Sequence, residues 1–144
     1  TSSVINYGND VAVNGNGDTY VAYLWRSIQG FSKFGSYKGN SSTNGVFCYC
    51  GFRPALVILK VSSGTTDHWM MLDAKRPGYN ATNKRLSASA DSAESDDIAT
   101  DFLSNGFKLR FSGGAANGSG NTYIFMAWAE SPFVNSNGVP NNAR

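Results

Sequence analysis

His68 is the single histidine of the chain, and it stands beside Trp69. As a catalytic base it would need a nucleophile on one side and an orienting carboxylate on the other. The sequence has no nucleophile-elbow pattern, so His68 is expected at a strand start, bonded by its neighbours. Asp73 and Glu130 fall at the ends of strand-like runs and form the least unsuitable carboxylate pair for cleaving a glycosidic bond. Such a pair works only at a defined separation, and nothing in the sequence brings the two together. Asp91, Glu94, Asp96, Asp97 and Asp101 cluster without the spacing of an EF-hand loop. A solvated acidic turn is the expectation there, with a weak calcium site as the alternative.

Cys48 and Cys50 lie two apart in "FCYCGF". On a strand they share a face, where a disulfide would be strained. One histidine and two thiols fall short of the four ligands of a structural zinc site. Two free thiols packed on a strand are expected, in keeping with folding in a reducing cytoplasm. No motif asks for a cofactor or a metal.

Sugar binding demands less of a sequence: aromatic faces to stack on rings and planar polar groups to bond hydroxyls. The stretch "RPGYNATNKR" brings Arg76, Tyr79, Asn80, Asn83 and Arg85 close in sequence, and Trp69 lies just upstream. These six are the candidate ligand-binding residues. The plain alternative is a long connector held down by its one aromatic.

The elements that would position these groups read as β-strands. Charged residues are only 15% of the 144 residues, and 16 are glycine. That mix fits short strands between polar turns. Strands are expected over 18–27, 30–39, 46–52, 55–61, 68–74, 107–111 and 121–130, with 55–61 and 68–74 paired as a hairpin. The segment 18–27, "DTYVAYLWRS", reads as buried on both faces. Residues 75–90 show turn chemistry and little periodicity. Asp91 with Glu94 forms a capping box, so a short helix is expected near 91–100. The fold class is therefore all-β, an antiparallel β-sandwich or jelly-roll-like domain over 1–133, followed by a C-terminal arm over 134–144.

One phrase occurs twice. "NGNGDTYVAYLW" runs from Asn14 to Trp25 and "NGSGNTYIFMAW" from Asn117 to Trp128. The repeat carries no nucleophile, base or metal set. It reads as two equivalent core strands left by internal duplication, with Trp25 and Trp128 mostly buried and Thr19 and Thr122 in matching places.

The formal charge is +2 and no basic run exists, so nucleic-acid binding has no electrostatic footprint. No apolar stretch approaches the roughly 20 residues that a membrane-spanning helix needs, so membrane insertion is not expected.

Several phrases together resemble a known group. "GDTYVAYLWRSIQGFSKFGSYKGN", "FCYCGFRPALVILK", "MLDAKRPGYNATNKRL", "DFLSNGFKLR" and "SGNTYIFMAWAESPF" are similar to a C-terminal module of phage tail fibres and virion appendages, a family labelled as a domain of unknown function. The resemblance runs from about Val13 to Phe133, and its pattern does not require Cys50. It implies a non-enzymatic structural module of the virion, made in the host cytoplasm and engaged in host attachment. The partners it implies are a cell-surface glycan or protein, other virion proteins, and two further copies in a homotrimer. A carbohydrate-binding module and a purely structural connector or decoration domain are the alternatives.

Overall fold

A computed structural model describes residues 4–76 and 80–132. The chain forms one antiparallel sheet of eight strands and a single four-residue helix, α1 (Val11–Asn14). The strands are β1 (Ser32–Lys38), β2 (Phe47–Tyr49), β3 (Pro54–Ser63), β4 (Met70–Asp73), β5 (Thr82–Ser87), β6 (Ser95–Leu103), β7 (Gly106–Leu109) and β8 (Thr122–Ala129). They lie in the order β1-β8-β3-β4-β5-β6-β7-β2, and the sheet curls into a nearly closed barrel. Strand β5 pairs with β4 in one layer and with β6 in the other. The two halves face each other as the layers of a sandwich do, and Phe107 of β7 meets Phe125 of β8 edge-on at 5.3 Å between centroids. The expected all-β antiparallel class is the one observed.

Alternation builds the core. Val57, Leu59 and Val61 of β3 point inward, as do Met70 and Leu72 of β4 and Tyr123, Phe125 and Ala127 of β8. Ile98 and Phe102 of β6 and Phe107 and Leu109 of β7 complete the filling. Gly35 of β1 sits opposite Phe125, and a Cβ there would lie 2.8 Å from the phenyl ring. The absent side chain makes room for the ring. Pro54 opens β3, a position where its missing amide costs no ladder bond.

Four expectations are corrected. No helix forms near 91–100: residues 95–103 are strand β6. Ile98, Thr100 and Phe102 alternate into the core, while Asp96 and Asp97 pair across to Lys84 and Arg85 of β5. Inward packing at period two outweighs a local capping box. The irregular stretch 75–90 contains β5, whose exposed positions are polar and whose only large apolar residue is Leu86. The segment 18–27 is not a strand, and Val21, Tyr23, Leu24 and Trp25 are exposed, Trp25 at 58%. Trp128 is half-buried on the outer face of β8, where Trp25 and Phe34 meet it edge-on. Neither tryptophan lies in the core.

The expected arm over 134–144 lies outside the described residues.

Candidate functional site

The five candidate binding residues that lie within the described residues do not form one cluster. Strands β4 and β5 run antiparallel with Met70 opposite Ser87, so Trp69 lies at one end of the pair. Arg76 and Asn80 follow from the connection at the other end, and Tyr79 lies outside the described residues. Asn80 is tied to β6: its Oδ1 accepts from the Phe102 amide at 2.8 Å, and its Nδ2 donates to the Phe102 carbonyl at 2.9 Å. Arg76 donates through Nε to Asp73 at 2.5 Å and through Nη1 to Glu94 at 3.1 Å. Arg85 makes a two-pronged pair with Asp97, at 2.6 and 2.9 Å, and also donates to Ser87. Asn83 is exposed on β5 and Trp69 is half-buried. The three anchored groups brace the sheet, and Asn83 and Trp69 retain accessible side-chain surface.

Electrostatics bear out that bracing role. Burial alone would raise the Asp73 pKa, but the amides of Arg76 and Lys75 and the Arg76 guanidinium reverse it, holding the carboxyl below its ordinary range. The hydrogen bond that Arg85 donates to Asp97 raises the Arg85 pKa against the opposing effect of burial. Asp73 and Glu130 do approach the same end of β3, since the Lys75 amide donates to Asp73 and its Nζ to Glu130 at 3.2 Å. Glu130 also pairs with Arg53 at 3.0 Å. A glycosidase acid needs a raised pKa, and Asp73 is shifted the opposite way.

His68 is exposed beside an open concavity of about 330 Å³ with Thr66 and Asp67. Its Nδ1 lies 3.3 Å from the Ser89 hydroxyl, while the Asp67 carboxylate accepts the backbone amide of His68 instead of orienting the ring. Both cysteines are free and buried, Cys48 on β2 and Cys50 just past its end. Burial pushes each thiol up to about 12, so neither is a nucleophile at neutral pH. No group of three metal-ligating side chains converges among the described residues.

A further concavity lies where the barrel fails to close. Phe31 bonds to Ala129 of β8 and Gly39 to Asn121 just before it, so the backbone groups of the even-numbered residues of β1 point the opposite way, toward β2. There Ser32 is met by Ile28 and the Phe34 amide by the Ser27 hydroxyl, while Ser36 and Lys38 stand exposed. The gap holds a cleft of about 380 Å³ lined by Ser27, Gln29, Lys33, Tyr49 and Cys50 among others. Tyr49 is 63% exposed at its rim. Sequence reading missed this cleft because its walls come from two strands that meet only when the sheet curls. The one available signal was Tyr49, an aromatic facing away from the two inward cysteines.

The opposite end of the seam is shut by Asn117, which is fully buried. Its Oδ1 accepts from the Asn40 amide at 3.0 Å, and its Nδ2 reaches Asn40 Oδ1, the Ser42 carbonyl and the Phe111 carbonyl at 2.8–2.9 Å. Tyr37 donates to the Ala116 carbonyl at 2.6 Å, and its ring stacks on Tyr123 at 5.0 Å.

These features define a small antiparallel β-barrel domain, clasped at one end of its seam and open at the other. The chain belongs to the family described as Domain of unknown function (DUF7483), whose model matches residues 1–132. No curated protein and no solved structure matches it.

Proposed function

We propose that this domain is a non-enzymatic structural module of a phage tail fibre or related virion appendage, and that it takes part in recognising the host surface. The observation that carries the reading is the open seam. An exposed tyrosine, a lysine and the side-chain amide of Gln29 converge there on one cleft, beside Ser27 and Ser32, whose hydroxyls are bonded within the chain. Aromatic faces beside planar polar groups suit sugar rings. Elsewhere Lys84 and Arg85 of β5 pair across to Asp96 and Asp97 of β6, and Arg76 in the β4–β5 connection pairs with Asp73 and Glu94. The sequence resemblance supports a place in the virion, with a homotrimer as the form of assembly and other virion proteins as neighbours.

A glycan array and an adsorption assay on host cells test the reading. Binding that falls at least tenfold in Tyr49→Ala, with Trp69→Ala unchanged, is the expected result. Loss in Trp69→Ala alone would move the site to the β4–β5 end and favour a carbohydrate-binding surface there. No binding to either target would leave a connector or decoration domain. Sugar release from host polysaccharide that disappears in Asp73→Asn would contradict the non-enzymatic reading.

A further inference from the structure

The repeated phrase is also a repeated conformation. In the loop before β8, the amides of Ala116 and Asn117 bond to the Gly113 carbonyl at 3.4 and 2.8 Å. The Tyr123 hydroxyl donates to the Gly114 carbonyl at 2.5 Å and accepts from the Gly118 amide at 2.8 Å. Shifted by the offset that carries Asn117 onto Asn14, the same bonds recur near the N-terminus. The amides of Val13 and Asn14 bond to the Asp10 carbonyl at 3.1 and 2.9 Å. The Tyr20 hydroxyl donates to Val11 at 2.6 Å and accepts from Gly15 at 2.7 Å. Asn14 Nδ2 reaches the Gly8 carbonyl at 2.9 Å, as Asn117 reaches Phe111. Gly17 and Gly120 share a left-handed φ, at 85° and 80°.

What differs is the company. Asn117 and Tyr123 are fully buried, whereas Asn14 is exposed and Tyr20 is 43% exposed. In the barrel, Tyr37, Gly39, Asn40 and Ser41 bond to the loop before β8, and β1 and β3 flank the strand. The N-terminal copy has none of these partners among the described residues. Tyr7, Val13, Tyr20 and Val21 instead border an open concavity of about 390 Å³.

We infer that residues 8–25 are a closing strand and its clasp loop, shaped to complete a neighbouring domain of this same fold by lying between that domain's equivalents of β1 and β3. The inward positions show that the receiving barrel differs from this one. Ala22 stands where β8 has Phe125, and Leu24 where it has Ala127, which is fully buried. Ala22 would leave the space above Gly35 empty, and Leu24 would overfill the site of Ala127. The receiving domain must carry more bulk at its Gly35 equivalent and more room opposite Leu24. The inference does not depend on host recognition.

The test fuses residues 26–110 directly to Gly8 of the intact chain, so that the leading unit lacks its own closing strand. Hydrogen exchange read by mass spectrometry then reports whether that unit folds. With Ala22→Phe and Leu24→Ala, the leading unit is expected to be as protected as in a control fusion carrying residues 111–128 in place of 8–25. With the unaltered segment, exchange there should be at least tenfold faster. An unprotected leading unit in the doubly substituted fusion, beside a protected control, overturns the inference. Equal protection by the unaltered segment overturns the claim that the receiving barrel is a different one.

Discussion

Asn117 and Asn40 hold each other reciprocally: the Asn40 amide donates to Asn117 Oδ1 at 3.0 Å, and Asn117 Nδ2 donates to Asn40 Oδ1 at 2.9 Å. This pair closes one end of the barrel seam and explains why the opening lies at the other. Asn117→Ala strips a fully buried site of its polar partners and should cost about 2–4 kcal/mol, since each buried group left unpaired costs on the order of 1–3 kcal/mol. Asn14→Ala, at the exposed counterpart, should stay within about 0.5 kcal/mol of wild type. Denaturant midpoints at constant slope measure both.

Thr100 is the converse case. Its Oγ1 is the one buried side-chain polar atom without a partner among the described residues. Thr100→Val keeps the shape and removes the desolvated hydroxyl. A gain of about 1 kcal/mol is expected in the same denaturant measurement.

Gly35 and Phe125 form a lock of size. Phe125→Ala should cost about 3–5 kcal/mol through the cavity it leaves. Gly35→Ala should cost about 1–3 kcal/mol by pressing a Cβ into the ring. The two changes combined should cost less than their sum, because the methyl enters the space the ring vacates. Thermal unfolding of the four proteins closes the cycle.

How much of this was legible follows from where each residue's constraint lies. Strand β8 and the β3–β4 hairpin showed in the sequence because their apolar residues run or alternate along a single strand. Strand β5 did not, because its long polar side chains are fixed by pairing with β6, a contact between strands. Asp91 and Glu94 satisfied a local helix rule that the inward alternation of Ile98, Thr100 and Phe102 overrode. "DTYVAYLW" reads as a buried strand for a physical reason, since it repeats β8; what it lacks here is a sheet to enter. Of the candidate binding residues, Arg76, Asn80 and Arg85 had suitable chemistry, yet each finds its partners within the domain.

The cysteines supply a pH prediction. Their folded values, about 12, lie above the usual ~8.5 of a free thiol. The raised folded pKa means that their contribution is complete below pH ~8.5 and is lost as pH rises toward 12. Stability should decline across that window, and the decline should shrink in Cys48→Ala/Cys50→Ala. At pH 8 neither thiol should react with a thiol reagent until the protein is unfolded.

Asp73 acts in the opposite direction. Its depressed folded pKa gives stability that is present above the unfolded value of ~3.9 and is lost as pH falls below it. Asp73→Asn should flatten the acid limb of the stability curve, as read by unfolding at a series of pH values.

Antibody-gold labelling of intact phage particles, with an antibody raised against this domain, tests the central claim most directly. Label on the tail fibre or another surface appendage is the predicted result. Particles that carry no label, while the intact protein is abundant in the infected cell, would contradict it.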